Sequence, residues 1–311
     1  MQSIVQKNIL CYHNDNILYL VINIKEGVKM KNICYEICDV CNLKCDYCIS
    51  SDNHNLEKED YLKINEFIKR LSPERIVIGG GEPFLDPELL TKLKQLRESL
   101  PNSFISLSSN GTAYYPLKEL QDYVDCIDIS FPSLNHEIYK KMRGQDKVEE
   151  VINSISRVAE SGFYSRVSCM LTSQNLEAVP ELLHYLESFS IDEVRLGRFF
   201  PFREARKLNE KYKLTDIELA NFMKTLSITD YSFKIVPPIS SLDLMEKGYL
   251  VVNCAGEVFF PTREGRNLLG TVHDLDLIDT LTLEEQQEKI FVGMSTKENT
   301  TSRMKKIGEK S

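Results

Sequence analysis

No stretch of this chain is both long and apolar enough to cross a bilayer. The longest apolar run, ILYLVINI at residues 17–24, falls well short of the ~20 residues a spanning helix needs. The N-terminus has no charged segment followed by a sustained apolar one, so no secretory signal is read there. Runs of basic charge are also missing. There is no long Lys/Arg run, RMKK near the C-terminus being a weak one, and a net charge of −8 is not the footprint of a dedicated nucleic-acid binder. The nine cysteines are too sparse for a small disulfide scaffold, yet five of them fall within the 15 residues 34–48. Clustered thiols in a chain without a secretory signal point to metal before disulfide. The expected location is cytoplasmic, with neither membrane nor nucleic acid as a partner.

Length leaves one large domain or two smaller ones open. Residues 3–24 read as a β-hairpin, because two apolar runs flank the turn-forming His13-Asn14-Asp15-Asn16. From about residue 32, strand-like segments (32–38, 75–79, 103–108, 124–130, 164–171, 192–197) alternate with helical ones (57–71, 86–99, 115–121, 146–160, 176–188). Parallel strands need crossovers, so repeated βα units imply a parallel sheet with helices outside. The expectation is an α/β fold: a hairpin extension at 1–29, then a partial (β/α)6 barrel over 30–236. A helix at 215–228 and a strand at 231–236 close the core. A strand-rich cap is expected within 237–295, and a flexible polar tail at 296–311.

The unusual residues sort onto this map. Cys41, Cys45 and Cys48 follow the first core strand, Gly79-Gly80-Gly81-Glu82-Pro83 the second, Ser109-Asn110-Gly111 the third, and Ser130-Phe131-Pro132-Ser133 the fourth. In a parallel α/β barrel those strand ends form one rim, where active sites are built. Each element alone has a plainer reading. The glycines suit a tight turn, Glu82 a helix-entry carboxylate, and Ser109 to Gly111 an ordinary turn. Their shared position is what raises them above it.

The stretch ICYEICDVCNLKCDYC, residues 33–48, contains C-x3-C-x2-C twice, with Cys41 shared. Zinc knuckles set well apart and the bacterial ferredoxin run C-x2-C-x2-C-x3-C-P both fail to match the order x2, x3, x2 followed by Ile49. Strand alternation puts Cys34 and Cys38 on one face of an extended segment, about 13 Å apart. Cys41, Cys45 and Cys48 lie past the strand in a loop that can gather three thiolates, so they form the better ligand set.

Cys41-Asn42-Leu43-Lys44-Cys45-Asp46-Tyr47-Cys48 resembles the C-x3-C-x-Φ-C signature of the radical S-adenosylmethionine (SAM) superfamily. Gly80-Gly81-Glu82-Pro83 resembles its GGEP motif one βα unit later. Ser109-Asn110-Gly111 and Ser130 to Ser133 are similar to its third- and fourth-strand motifs, and the resemblance spans about residues 30–200. It implies a [4Fe–4S] cluster held by Cys41, Cys45 and Cys48, with one iron left open to SAM. One-electron cleavage of SAM would give methionine and a 5′-deoxyadenosyl radical that takes a hydrogen atom from a small-molecule or peptide substrate. By the same resemblance Tyr47 packs near the adenine, and Gly80, Gly81 and Glu82, with Pro83 completing the motif, meet the methionine amino group. Ser109, Asn110 and Ser130 contact ribose or carboxylate. Arg143, read as opening a helix, is either a carboxylate partner or a solvated surface residue. A flavodoxin or ferredoxin is the implied electron donor.

Past the barrel only Cys254 remains, with Thr262 where a cluster-binding cysteine would stand in a SPASM/twitch-like extension, so a cap without auxiliary metal is expected. That lack argues against the molybdenum-cofactor cyclase, whose second cluster needs a C-terminal triad. A viperin-like nucleotide-modifying enzyme remains an alternative, as does a non-catalytic iron–sulfur carrier or metal-stabilised binding module. Cys254 is either a hydrogen-atom donor to a product radical or a buried packing residue. Cys11, Cys126 and Cys169 read as core.

Overall fold

The computed structural model describes residues 9–14, 17–24, 31–48, 50, 56–199, 209–226, 230–238, 249–262, 265–274 and 288–295. The expected tail at 296–311 lies outside them. The chain divides into two units, 1–27 with 285–311, and 28–284. In the first, β1 (Ile9–Asn14) and β2 (Ile17–Ile24) form an antiparallel hairpin with Asn14 opposite Ile17.

The second unit begins with β3 (Asn32–Cys38) and runs through α1 (Tyr61–Leu71), β4 (Arg75–Gly80), α2 (Leu89–Ser99), β5 (Phe104–Ser109), β6 (Cys126–Ser130), α3 (His136–Arg143) and α4 (Val148–Ala159). It continues with β7 (Tyr164–Leu171), α5 (Val179–Leu186), β8 (Glu193–Arg198), α6 (Asn209–Tyr212), α7 (Asp216–Leu226) and β9 (Lys234–Val236). Last come β10 (Tyr249–Asn253), β11 (Glu257–Thr262) and β12 (Gly265–Thr271). These strands make one ten-stranded open sheet in the order β12-β11-β10-β3-β4-β5-β6-β7-β8-β9. Strands β3 to β9 pair in parallel, as the βα rhythm requires. The C-terminal segment attaches at the sheet edge: β10 pairs parallel with β3, Val251 opposite Cys34, and β11 and β12 follow antiparallel. The remaining strand, β13 (Glu288–Ser295), pairs antiparallel with β2 in the first unit.

Period-two alternation gives the sheet two different faces. One carries Ile33, Tyr35, Ile76, Ile78, Ile105, Leu107, Ile127 and Ile129, all at most 1% exposed in the main core. Helices cover it with an apolar stripe such as Val148, Val151, Ile155 and Val158 of α4. Each such side chain stabilises by roughly 1.5–3 kcal/mol. The other face carries Glu36, Ser106, Asp128, Arg166 and Glu193, which are buried and polar. Several of them are paired: Arg166 Nε donates to Glu193 Oε1 at 2.6 Å, and Asp128 Oδ2 accepts from Ser168 Oγ at 2.9 Å. Arg266 on β12 donates to both carboxylate oxygens of Glu36 at 2.9 and 2.6 Å.

Three sequence expectations change. The segment 115–121 forms only a 3-10 turn, Leu117–Leu120, too short to build an α-helical ladder. Helix α3 was not expected, yet its signals are standard: Asn135 Oδ1 accepts from the N–H groups of Glu137 and Ile138, and Gly144 closes it at φ 83°. Cys34 and Cys38 do not share an environment. A register shift between Glu36 and Cys38 breaks the alternation. Cys34 then packs with Val251 and Phe259 while Cys38 joins the main core.

Candidate active site

The loop after β3, carrying the three cysteines, is stitched by backbone to the glycine turn after β4. Gly81 N–H donates to Cys38 O at 2.8 Å and Glu82 N–H to Val40 O at 2.7 Å. The approach is so close that a Cβ on Gly81 would sit 2.1 Å from Val40 O, and one on Gly80, at φ 113°, 2.4 Å from Cys38 O. Only glycine allows these two strand ends to meet. Gly79 faces open space. Pro83 opens the 3-10 turn Pro83–Leu85 and is buried.

Glu82 is fully buried and acts as a bracket. Its Oε1 accepts from Ser109 Oγ at 2.9 Å and Phe84 N–H at 3.1 Å, and its Oε2 from Asn110 N–H at 2.7 Å. Burial pushes its carboxyl above the usual range, and these hydrogen bonds oppose that. Asn110 is thereby aimed at the cysteine loop. Its Nδ2 donates to Asn42 Oδ1 at 2.9 Å and lies 3.8 Å from Cys41 Sγ. Thr112, which no motif flagged, donates through N–H and Oγ1 to Asn110 Oδ1 at 2.9 and 2.7 Å.

Arg143 is 5% exposed, and it ends α3 where the sequence reading had it opening a helix. Both the position and the solvated alternative are corrected: the guanidinium turns inward because three partners await it. Nη2 donates to Ser130 O at 2.9 Å and Ser130 Oγ at 2.5 Å, and Nη1 to Cys45 Sγ at 3.5 Å. Its carbon lies 5.7 Å from the Tyr47 ring centroid. Tyr47 is buried with Met142, Phe199 and Tyr212. Ser133 accepts from Asn135 N–H at 3.1 Å, a local role at the start of α3.

Residues 35–186 match the family model "Radical SAM superfamily". The chain carries a radical SAM domain. The cofactors of the radical SAM family are a [4Fe–4S] cluster and SAM. The chain is 26% identical over 203 residues to a probable GTP 3′,8-cyclase of Methanocaldococcus jannaschii, covering 62% of this chain and 67% of that one. It is 26% identical over 183 residues to a GTP 3′,8-cyclase of Shewanella denitrificans, covering 52% and 53%. It thus spans between about half and two thirds of these curated relatives. Among solved structures, Streptococcus suis SuiB bound to S-adenosylmethionine aligns at TM-score 0.63 and 17% identity over 84% of this chain and 66% of SuiB. Native anSMEcpe with bound AdoMet aligns at 0.57 and 21% over 80% of each. These likenesses carry the fold of the radical SAM domain.

The residues present fit the family's cluster. Among the described residues no three His, Cys, Asp or Glu converge as ligands of one metal ion would. Burial raises the Cys41 and Cys48 thiols, the nearby Cys45 adds to both rises, and Cys48 N–H donates to Cys45 O at 3.2 Å. A polynuclear cluster takes each thiolate on a different iron, so three thiols carried on one short loop can serve it. Burial pushes the Cys48 thiol up to about 11, so iron must displace protons on binding. Beside Cys45, Arg143 Nε and Tyr47 Oη are buried without a hydrogen-bond partner among the described residues. Such unmet capacity is expected where a polar group is to bind.

Cys254 lies elsewhere. It is 4% exposed at the end of β10, its carbonyl accepts from Glu59 N–H at 2.9 Å, and its charged neighbours are Asp39, Lys58 and Glu36. Burial raises its thiol to about 11. Thr262 ends β11. No helix among the described residues is long and apolar enough to cross a membrane.

Proposed function

We propose that this chain is a radical SAM enzyme that abstracts a hydrogen atom from a small-molecule or peptide substrate. The observation that carries the reading is the convergence on one rim of the three-cysteine loop, the glycine turn after β4, Asn110 and the inward-turned Arg143. Bound there, a [4Fe–4S] cluster and SAM supply the one-electron cleavage that yields methionine and a 5′-deoxyadenosyl radical. Cys41, Cys45 and Cys48 hold the irons. Arg143 pairs with the SAM carboxylate while Ser130 fixes its orientation, and the main chain at Gly80 and Gly81 meets the methionine amino group. Glu82 and Pro83 hold that turn rather than touching SAM, since Glu82 is already fully engaged. Ser109 and Asn110 line the ribose side, and Tyr47 backs the adenine. The electron comes from a flavodoxin or ferredoxin. Cys254, buried just past β10 and away from Arg143 and Asn110 at the cysteine loop, packs structurally in this reading.

A peptide substrate is supported by fold likeness to SuiB bound to precursor peptide SuiA, at TM-score 0.64 and 14% identity. A nucleoside triphosphate is the second reading, favoured by the names of the curated relatives. Anaerobic reconstitution tests the core proposal. The dithionite-reduced protein should show a SAM-dependent change in its EPR spectrum and release 5′-deoxyadenosine. If neither occurs, the non-catalytic iron–sulfur alternative holds. Deuterium transfer into 5′-deoxyadenosine from labelled GTP would decide for the nucleotide reading.

A further inference from the structure

Asp46, inside the cysteine loop, is gripped from a part of the chain that no motif touches. Its N–H donates to Met142 O at 3.3 Å. Its Oδ2 accepts from Lys211 Nζ at 2.6 Å and from Tyr212 Oη at 2.9 Å. Tyr212 is fully buried, its ring centroid 6.3 Å from that of Tyr47 and 5.7 Å from that of Phe199. The grip is anchored behind. Ser173 N–H donates to Tyr212 O at 3.2 Å, Ser173 Oγ and Gln174 Nε2 each donate to Lys211 O at 2.9 Å, and Arg198 Nη2 donates to Leu214 O at 2.8 Å. Residues 211–214 are therefore a strap pinned to the ends of β7 and β8 whose two side chains close on a carboxylate beside Cys45.

Packing alone does not require this arrangement. A carboxylate next to two thiolate ligands adds negative charge where the cluster already concentrates it, which opposes reduction. Lys211 sits where it offsets that charge, and Asp46 and Lys211 are both only about one third exposed, at 36% and 35%, so solvent screens the pair incompletely. Tyr212 contributes a hydrogen bond without charge.

We propose that Lys211 and Tyr212 are positioning residues for the cluster: together they hold the cysteine loop through Asp46, and Lys211 cancels the Asp46 charge felt by the cluster. The inference rests on the proposed radical SAM function. Two measurements separate its failure from that of the function. In cluster-free protein, hydrogen exchange of the 42–48 amides should quicken about tenfold or more in Lys211→Met and in Tyr212→Phe, as loss of a charge-assisted hydrogen bond implies. Tyr212→Phe retains the ring and hence the packing against Tyr47 and Phe199. In reconstituted protein, the midpoint potential should fall in Lys211→Met, rise in Asp46→Asn, stay unchanged in Tyr212→Phe and return near the native value in the Asp46→Asn, Lys211→Met double variant. Native-like exchange in both strap variants, or potentials that fail to move in opposite directions, would overturn the proposal. A native protein that takes up no iron sinks the proposed function instead, while the exchange measurement still decides whether the strap holds the loop.

Discussion

Arg143 and Cys45, 98 residues apart in the chain, are joined by a hydrogen bond of 3.5 Å from guanidinium to thiol sulfur. The same guanidinium grips Ser130, so one buried cation links the cysteine loop to the end of β6. Arg143 therefore couples any cofactor bound at the cysteine loop to the packing of that loop against β6.

Arg143→Ala should weaken SAM binding about 10- to 100-fold, the loss of one charge-assisted contact. Arg143→Lys should recover little of it, because an ammonium cannot reach Ser130 and a carboxylate together as a planar fork does. Equilibrium titration of the reconstituted protein with SAM reads both, and native affinity in the Ala variant would refute the assignment.

Replacing Cys41, Cys45 or Cys48 by Ala should abolish bound iron. Cys34→Ala and Cys38→Ala should keep it, since each packs in an apolar cluster. Iron content and the visible spectrum measure this. Loss of iron in either of the last two, with native circular dichroism, would reverse the choice of ligands.

Gly81→Ala should destabilise by about 1–3 kcal/mol, the usual cost of overpacking, because its Cβ would meet Val40 O at 2.1 Å. Urea unfolding gives the difference, and reconstituted iron should fall with it as the glycine turn is forced away from the loop.

Glu82→Gln should cost about 1–3 kcal/mol, since the amide places an N–H₂ donor against donors that the carboxylate satisfied. A variant of native stability would show that Glu82 is not the bracket for Ser109 and Asn110.

His136 and Asp146 form an exposed pair at 2.9 Å, and the hydrogen bond that His136 Nδ1 donates to the Asp146 carboxylate is the main cause holding the His136 pKa above its ordinary 6.5. A raised folded-state value means its contribution is complete below the unfolded pKa and is lost as pH rises through the folded one. Proton NMR should find the His136 titration midpoint above 6.5 and moved down in Asp146→Asn. An unshifted midpoint would remove the pair from any account of how α3 is held.

Much of the site was legible because its parts are local. Cys41 to Cys48, Gly79 to Pro83 and Ser109 to Gly111 each lie within one βα unit, where strand periodicity and turn chemistry place them at a strand end. Helix α3 was missed: Asn135 and Gly144 cap it locally, but its Ile138, Tyr139 and Met142 make too short an apolar stripe to stand out. Arg143 illustrates the limit. Its identity hinted at a carboxylate partner, while its burial depends on Ser130 and Cys45 arriving from other elements.

The sequence by itself determined the order of strands and loops, the parallel α/β class and the placing of three cysteines in one loop after the first core strand, because backbone pattern and residue spacing act over a few residues. Only the tertiary structure decided the bracket at Glu82, the pairing of Glu36 with Arg266 across 230 residues and the strap from Lys211 and Tyr212 to Asp46. Such pairings depend on which strands become neighbours. The sheet order settles that by burying the apolar faces together, and the buried polar groups then find partners wherever the fold has brought them.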